Sequence, residues 1–105
     1  MKIKVDVKNR LGNFAPRYAR YSEEVLFGDL WDNEDLSLRD RSLITISSII
    51  SLGNFSQLPF HLKLGLKNGL EQKEIIEAIT HICFYSGWPK GDMALTIAKE
   101  IFQEN

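Results

Sequence analysis

LPFHLKLGLKNGLEQKEIIEAITHICFYSGWPKG, residues 58–91, is two helical periods and the opening of a third, separated by two sharp stops. In its first part Leu58, Leu62 and Gly65 recur at helical spacing, and a helix from Ser56 to about Lys67 is expected, with Pro59 tolerated in its first turn. Asn68-Gly69 is a C-terminal stop. A second helix then runs from about Gln72 to Tyr85, with Ile75, Ile79 and Ile82 at i, i+4, i+7 and Ile76 and Cys83 beside them. Gly87 ends it and Pro89 opens the next, whose apolar set is Met93, Leu95, Ile97, Ala98, Ile101 and Phe102.

Upstream, a helix from Ser37 to Leu52 carries Leu43, Ile46, Ile49 and Ile50 on one face, with Ile44 and Leu52 extending it. Ser37 and Asp40 resemble a capping box at its start. Its other positions are Ser or Thr, and from Leu43 to Leu52 there is no charge. Such a helix is expected to be buried on most sides, and a chain of this size has little protein with which to surround it. Residues 42–52 are therefore expected to be covered by neighbouring subunits. A first helix spans Pro16 to about Phe27, with Gly28 as its stop, followed by an acidic loop, WDNEDL, at 31–36. Residues 2–8 alternate polar and apolar, which predicts a short strand or an extended N-terminal arm within residues 1–10. No second strand is evident to pair with it. The expectation is one all-α domain over residues 1–105, a compact bundle of about five helices with that arm.

Composition bounds the function. The 105 residues are 44% hydrophobic and 26% charged, ordinary for a folded soluble chain. Thirteen basic residues against 14 acidic ones leave −1, which provides no basic face for nucleic acid. The longest uncharged run, 42–60, is broken by serines, Asn54, Gln57 and Pro59, so no membrane span is expected. MKIKVDVKNR lacks the apolar core of a signal peptide, and one cysteine precludes an internal disulfide framework; a cytoplasmic setting is expected.

Among side chains with chemistry, His61 borders an apolar face, where burial disfavours the imidazolium and a nearby carboxylate would favour it. It is a credible proton donor or acceptor near neutral pH, or else a half-buried histidine bonded to a backbone carbonyl. Glu74, Glu77 and His81 share a face of their helix, and a carboxylate four residues before His81 can hold its ring. The spacing is not Glu-x-x-His and has no second copy, so no metal site is expected. Cys83, among Ile79, Ile82 and Phe84, is a packing group with no resolving partner. Phe84, Tyr85 and Trp88 could wall a pocket or pack a helical corner. Arg39 and Arg41 bracket a helix start, where unpaired N–H groups already favour anions, and could receive a carboxylate or pair with Asp40 or Asp35.

The motifs LFGDLW (26–31), LSLRDRSLITIS (36–47), LPFHLKLGLKNGL (58–70), then Glu74, Ile75, Glu77 and His81, and FYSGWPKGDMAL (84–95) resemble the carboxymuconolactone decarboxylase family, which includes the alkyl hydroperoxidase-D-like proteins. The resemblance covers about residues 11–103. It implies an all-α fold and a trimer or hexamer. In the peroxidase branch a Cys-x-x-Cys pair precedes a histidine matching His61, with an upstream glutamate. Those positions hold Asn54, Gln57 and, near the glutamate, Ser42. Disulfide-based peroxidase chemistry is thus not expected. The decarboxylase branch implies a cofactor-independent lyase acting on a small carboxylated lactone of aromatic-compound catabolism. His61 would be its general acid/base, Arg41 or Arg39 would hold the carboxylate, and His81 or Tyr85 would stabilise an oxyanion, with Glu77 and Trp88 as further substrate-binding candidates. A thiol peroxidase and a non-catalytic oligomeric protein binding a small acid are the competing readings.

Overall fold

The computed structural model describes residues 7–104, and among them there are helices and turns but no strand. The chain divides into two compact units, Met1–Ser37 and Leu38–Asn105. Residues 1–6 of the expected arm lie outside the described residues. From Val7 the backbone is already helical, as α1, Val7–Leu11, with Val7 buried. The alternating pattern therefore misreads the arm's end, where Gly12 N–H closes a turn on the Lys8 carbonyl at 2.8 Å.

The rest of the first unit is α2, Pro16–Arg20, continued by a π-helical segment, Tyr21–Leu30. The helix thus passes through Gly28 instead of stopping there. In the wider π turn a carbonyl five residues back comes close: a Cβ at Gly28 would lie 2.5 Å from the Glu23 oxygen. Glycine permits the segment to continue to the Trp31 N–H, which reaches the Leu26 carbonyl at 3.0 Å.

The second unit holds the other four expected helices: α3, Leu38–Leu52; α4, Leu58–Lys67, after a 3-10 turn at Phe55–Gln57; α5, Gln72–Ser86; and α6, Trp88–Gln103. The α4 stop is a Schellman motif. Leu70 N–H reaches the Gly65 carbonyl (2.9 Å) and Gly69 N–H the Leu66 carbonyl (3.2 Å), with Gly69 at φ 109°. The α5 start is a reciprocal capping box between Glu71 and Glu74, a signal the sequence reading did not use.

These helices form two hairpins, α3–α4 and α5–α6, and two polar contacts orient them. Arg39 at the start of α3 pairs with Glu74 at the start of α5, and Ser51 near the end of α3 hydrogen-bonds Ser86 at the end of α5 at 2.7 Å. Both ends match, so α3 and α5 run parallel. Helix α3 packs on α4 and α5, and α6 packs on α4 and α5, which leaves α4 and α5 on one diagonal of the bundle. The core between them is Ile46 and Ile50, Leu58 and Leu62, Ile75, Ile79 and Ile82, and Ala94, Ala98 and Ile101, with Leu70 from the α4–α5 turn. On α6 the small residues Gly91 and Ala94 face inward, while Met93, expected in the apolar set, is 48% exposed.

Candidate functional site

His61 is the one titratable side chain on the core face of α4, among Leu58, Leu62, Leu64 and Gly65, and is 9% exposed. The helical period puts it there: it lies three residues after Leu58 and four before Gly65. Gly65 lets α3 approach, since a Cβ there would stand 3.1 Å from the Ile46 side chain and 3.0 Å from Leu70. Burial disfavours the imidazolium, and the His61 pKa falls below its ordinary value. The exposed sliver of the residue borders Phe60, whose ring stands perpendicular to the imidazole with centroids 5.0 Å apart.

On α3, Arg41 is half-buried, with its Nε shielded from solvent. Its carbonyl accepts the Thr45 hydroxyl at 2.8 Å. Arg39 is engaged elsewhere. Its guanidinium binds Glu74 and, at 3.1 Å, Asp40, and these carboxylates, Glu74 first, raise its pKa. The Glu74 carboxyl is held low first by the Glu71 N–H at 2.9 Å and then by Arg39. The buried hydroxyl of Ser42 accepts the Asn68 amide at 3.0 Å, joining α3 to the α4 stop.

The other candidates lie on α5 and at the start of α6. Glu77, His81, Tyr85 and Trp88 are all exposed, Tyr85 at 80%, and they sit on the helix diagonal to α4 or at the start of α6. The structure brings His81 and Tyr85 together, stacked at 4.9 Å, and sets Trp88 edge-on to Phe84 at 5.7 Å. The His81 ring is held by Tyr85 one turn later, not by Glu77 one turn earlier. Among the described residues Glu77 has no hydrogen-bond or ion-pair partner. Glu74, read with Glu77 and His81 as one face, is committed to Arg39 and the capping box. Sequence reasoning passed over Phe60 as a neighbour of His61. Phe60 offered no signal beyond adjacency.

Cys83 is buried, and α6 comes so close that a Cβ at Gly91 would run into its sulfur. It is the only cysteine, so the Cys-x-x-Cys pair is absent. No group of three or more His, Cys, Asp or Glu side chains clusters as metal ligands among the described residues. No helix among them is long and apolar enough to cross a membrane. A groove of about 360 Å³ on the outer side of α5 and α6, lined by Ile76, Leu95, Phe102 and Lys99, contains none of the candidate residues.

The model of the carboxymuconolactone decarboxylase family matches residues 16–100. A 4-carboxymuconolactone decarboxylase of Acinetobacter baylyi is 30% identical over 94 residues, covering 90% of this chain and 70% of the relative. A nitrosuccinic acid decarboxylase of Metarhizium robertsii is 28% identical over 102 residues, 93% of this chain and 71% of the relative. An uncharacterized 15.0 kDa protein of Paracoccus denitrificans is 31% identical over 83 residues, 77% of this chain and 62% of its own length. With a buried histidine on α4 in the matched region and no redox pair before it, this chain is a member of the carboxymuconolactone decarboxylase family.

Proposed function

We propose that this protein is a cofactor-independent decarboxylase of a small carboxylic acid, with a carboxylated lactone as its substrate class and His61 as its proton donor. The observation that carries the reading is His61 itself: a lone ionisable group on an otherwise apolar core face, with its acidity shifted by burial. The names of the two decarboxylase relatives supply the chemistry. A carboxymuconolactone bears its carboxyl on an unsaturated lactone, and a nitrosuccinic acid bears one beside a nitro group. In each molecule the electron pair released with carbon dioxide has an acceptor built into the substrate. A protein acting on such an acid needs only to desolvate the carboxylate and protonate the product.

The step balances as follows. The bond from carbon to carboxylate breaks, its pair enters the conjugated lactone as an extended enolate, and carbon dioxide leaves. One proton, taken from solvent by the imidazole, is then delivered to carbon, so His61 returns to its neutral form each turnover. Arg41 pairs with a second carboxylate or the lactone oxygen and fixes the substrate on α4. His81, Tyr85, Glu77 and Trp88 are exposed on α5 and at the start of α6, and they are proposed to meet substrate at the His61 of another copy.

A second copy is also the proposed cover for the outer stripe of α3, where Ile44 is 54% and Leu52 72% exposed on either side of exposed Ser48. Leu52→Glu should then lower the oligomeric state, seen by sedimentation. For the reaction, His61→Ala should abolish turnover of a carboxylactone while helical content and assembly persist. Undiminished turnover would refute it. Saturable binding by calorimetry without product would instead make this a small-acid-binding protein.

A further inference from the structure

We propose that Phe60 is the positioning residue of the His61 site: its ring, edge-on to the imidazole at the protein surface, holds the plane in which the proton is passed and forms the apolar lip a substrate crosses to reach it. The inference rests on the reading of His61 as proton donor, but its geometry does not. Phe60 and His61 are consecutive on α4, and side chains one residue apart on a helix diverge. Here the two rings nevertheless meet at an interplanar angle of 88° with centroids 5.0 Å apart. His61 is turned into the core and 9% exposed, whereas Phe60 is 39% exposed. Phe60 thus lies at the boundary between the buried imidazole and water.

Two consequences follow from that placement. An edge-to-face ring pair biases the orientation of the smaller ring by a few-fold to about tenfold. A proton donor to carbon needs such a bias, because delivery depends on the imidazole N–H pointing at one face of a planar enolate. The second concerns recognition. At 39% exposure the Phe60 ring offers an apolar surface beside a buried polar group. It suits an unsaturated, flat acid, which would lay its apolar body on the phenyl ring and its carboxylate toward α3. A saturated acid of the same charge gains less from that contact.

The test uses the full-length protein with Phe60→Ala, Phe60→Leu and Phe60→Trp, and two readouts. The first is acylation of the histidines by diethyl pyrocarbonate, followed residue by residue by mass spectrometry, with exposed His81 as the internal reference. Phe60→Ala should raise the His61 rate severalfold relative to His81, and Phe60→Trp should leave it near the parent value. This arm requires no substrate, so it stands whether or not decarboxylation is the reaction. The second is turnover of a carboxylactone. Phe60→Ala should lower kcat about tenfold with a smaller change in KM, Phe60→Leu should lie between, and Phe60→Trp should restore most of the loss. If Phe60→Ala leaves the ratio of the His61 and His81 rates unchanged with the fold intact, the positioning role is overturned. If acylation responds and the parent protein turns over no acid, the decarboxylase reading fails and the shielding of His61 by Phe60 survives.

Discussion

Gly91→Ala is the substitution whose outcome the packing of α5 on α6 fixes most sharply. A Cβ added at Gly91 would overlap the Cys83 sulfur and lie 3.2 Å from Cys83 Cβ and 3.5 Å from its Cα. The sulfur alone could rotate away, but the Cβ and Cα belong to a helix that cannot. Overpacking of this kind costs about 1–3 kcal/mol, and the sulfur overlap together with the tight Cβ approach places it near the upper end. Alanine returns about 1 kcal/mol of helix propensity over glycine, leaving a net loss of about 2 kcal/mol. For a domain of this size that corresponds to a fall of roughly 10 °C in Tm. In a Cys83→Ala background the overlapping sulfur is gone and only the tight 3.2 Å approach to the residue 83 Cβ remains, so the same Gly91→Ala change should cost markedly less. The assay is urea unfolding of the four proteins of the cycle, read at constant m value, with an expected coupling of about 1 kcal/mol. Equal effects of Gly91→Ala in both backgrounds would refute the reasoning. They would mean that the sulfur does not fill the gap beneath α6, and the account of Cys83 as an inert packing group would lose its footing.

Three further outcomes follow from buried or bridging polar groups. Because the folded pKa of His61 lies below its unfolded value near 6.5, the unfolded chain binds more protons in the interval between the two. Stability should therefore decline as pH is lowered from about 7 through that window, and the slope should flatten in His61→Gln; an unchanged slope by denaturant titration would contradict the burial of the imidazole. Ser42→Ala removes the acceptor of a shielded Asn68 amide whose Oδ1 also lacks a hydrogen-bond partner among the described residues, and should cost about 1–3 kcal/mol in chemical unfolding. Glu74 has its pKa lowered by the Glu71 N–H and by Arg39, so its contribution is present above its unfolded value near 4.5 and is lost as pH falls through the folded one. Glu74→Gln can still accept from the Glu71 N–H but cannot pair with Arg39. Amide exchange in the first turn of α5 should accordingly quicken more in Glu74→Ala than in Glu74→Gln, and equal rates would show that the cap contributes nothing.

Helix punctuation made most of the fold legible. Asn68-Gly69, Gly53-Asn54 and Gly87 each mark a stop, and Gly69, Gly53 and Gly87 take positive φ there. Ile75, Ile79 and Ile82 announced the buried face of α5 by spacing alone. The first unit was harder for a physical reason. Five residues of helix at Val7–Leu11 are too short to establish a 3.6-residue period against the alternation before them, and a π segment has a different period altogether. Gly28 misled because the same lack of a Cβ that ends an α-helix also admits the carbonyl of a wider turn. In the second unit the identity of each helix was readable, but their arrangement was not. Whether α4 and α5 are neighbours or diagonal depends on how two hairpins dock, and the contacts that decide it, Arg39 with Glu74 and Ser51 with Ser86, join residues 35 apart.

That diagonal also constrains the chemistry of the candidate site. A histidine on the core face of a small bundle is tolerated because neutral imidazole is far cheaper to bury than its cation. The same burial that makes the imidazolium scarce makes it a stronger acid, which suits delivery of a proton to carbon, a poor acceptor. If His61 works this way, kcat/KM for a carboxylactone should fall as pH rises above the lowered folded pKa, because the donor is the protonated form. A rise over the same interval would assign His61 the role of base and overturn the proton-delivery step while leaving the site in place. The exposed rings His81 and Tyr85 lie on α5, whose main packing partners are α3 and α6, so they act either beside the His61 of their own bundle or beside that of another copy. Mixing His61→Ala with His81→Gln/Tyr85→Phe chains discriminates between the two remaining arrangements. Recovery of turnover above that of either variant alone would require an intact His61 from one copy to act with the α5 rings of another. Strict proportionality to the His61-bearing chain would leave each α4 face working within its own bundle.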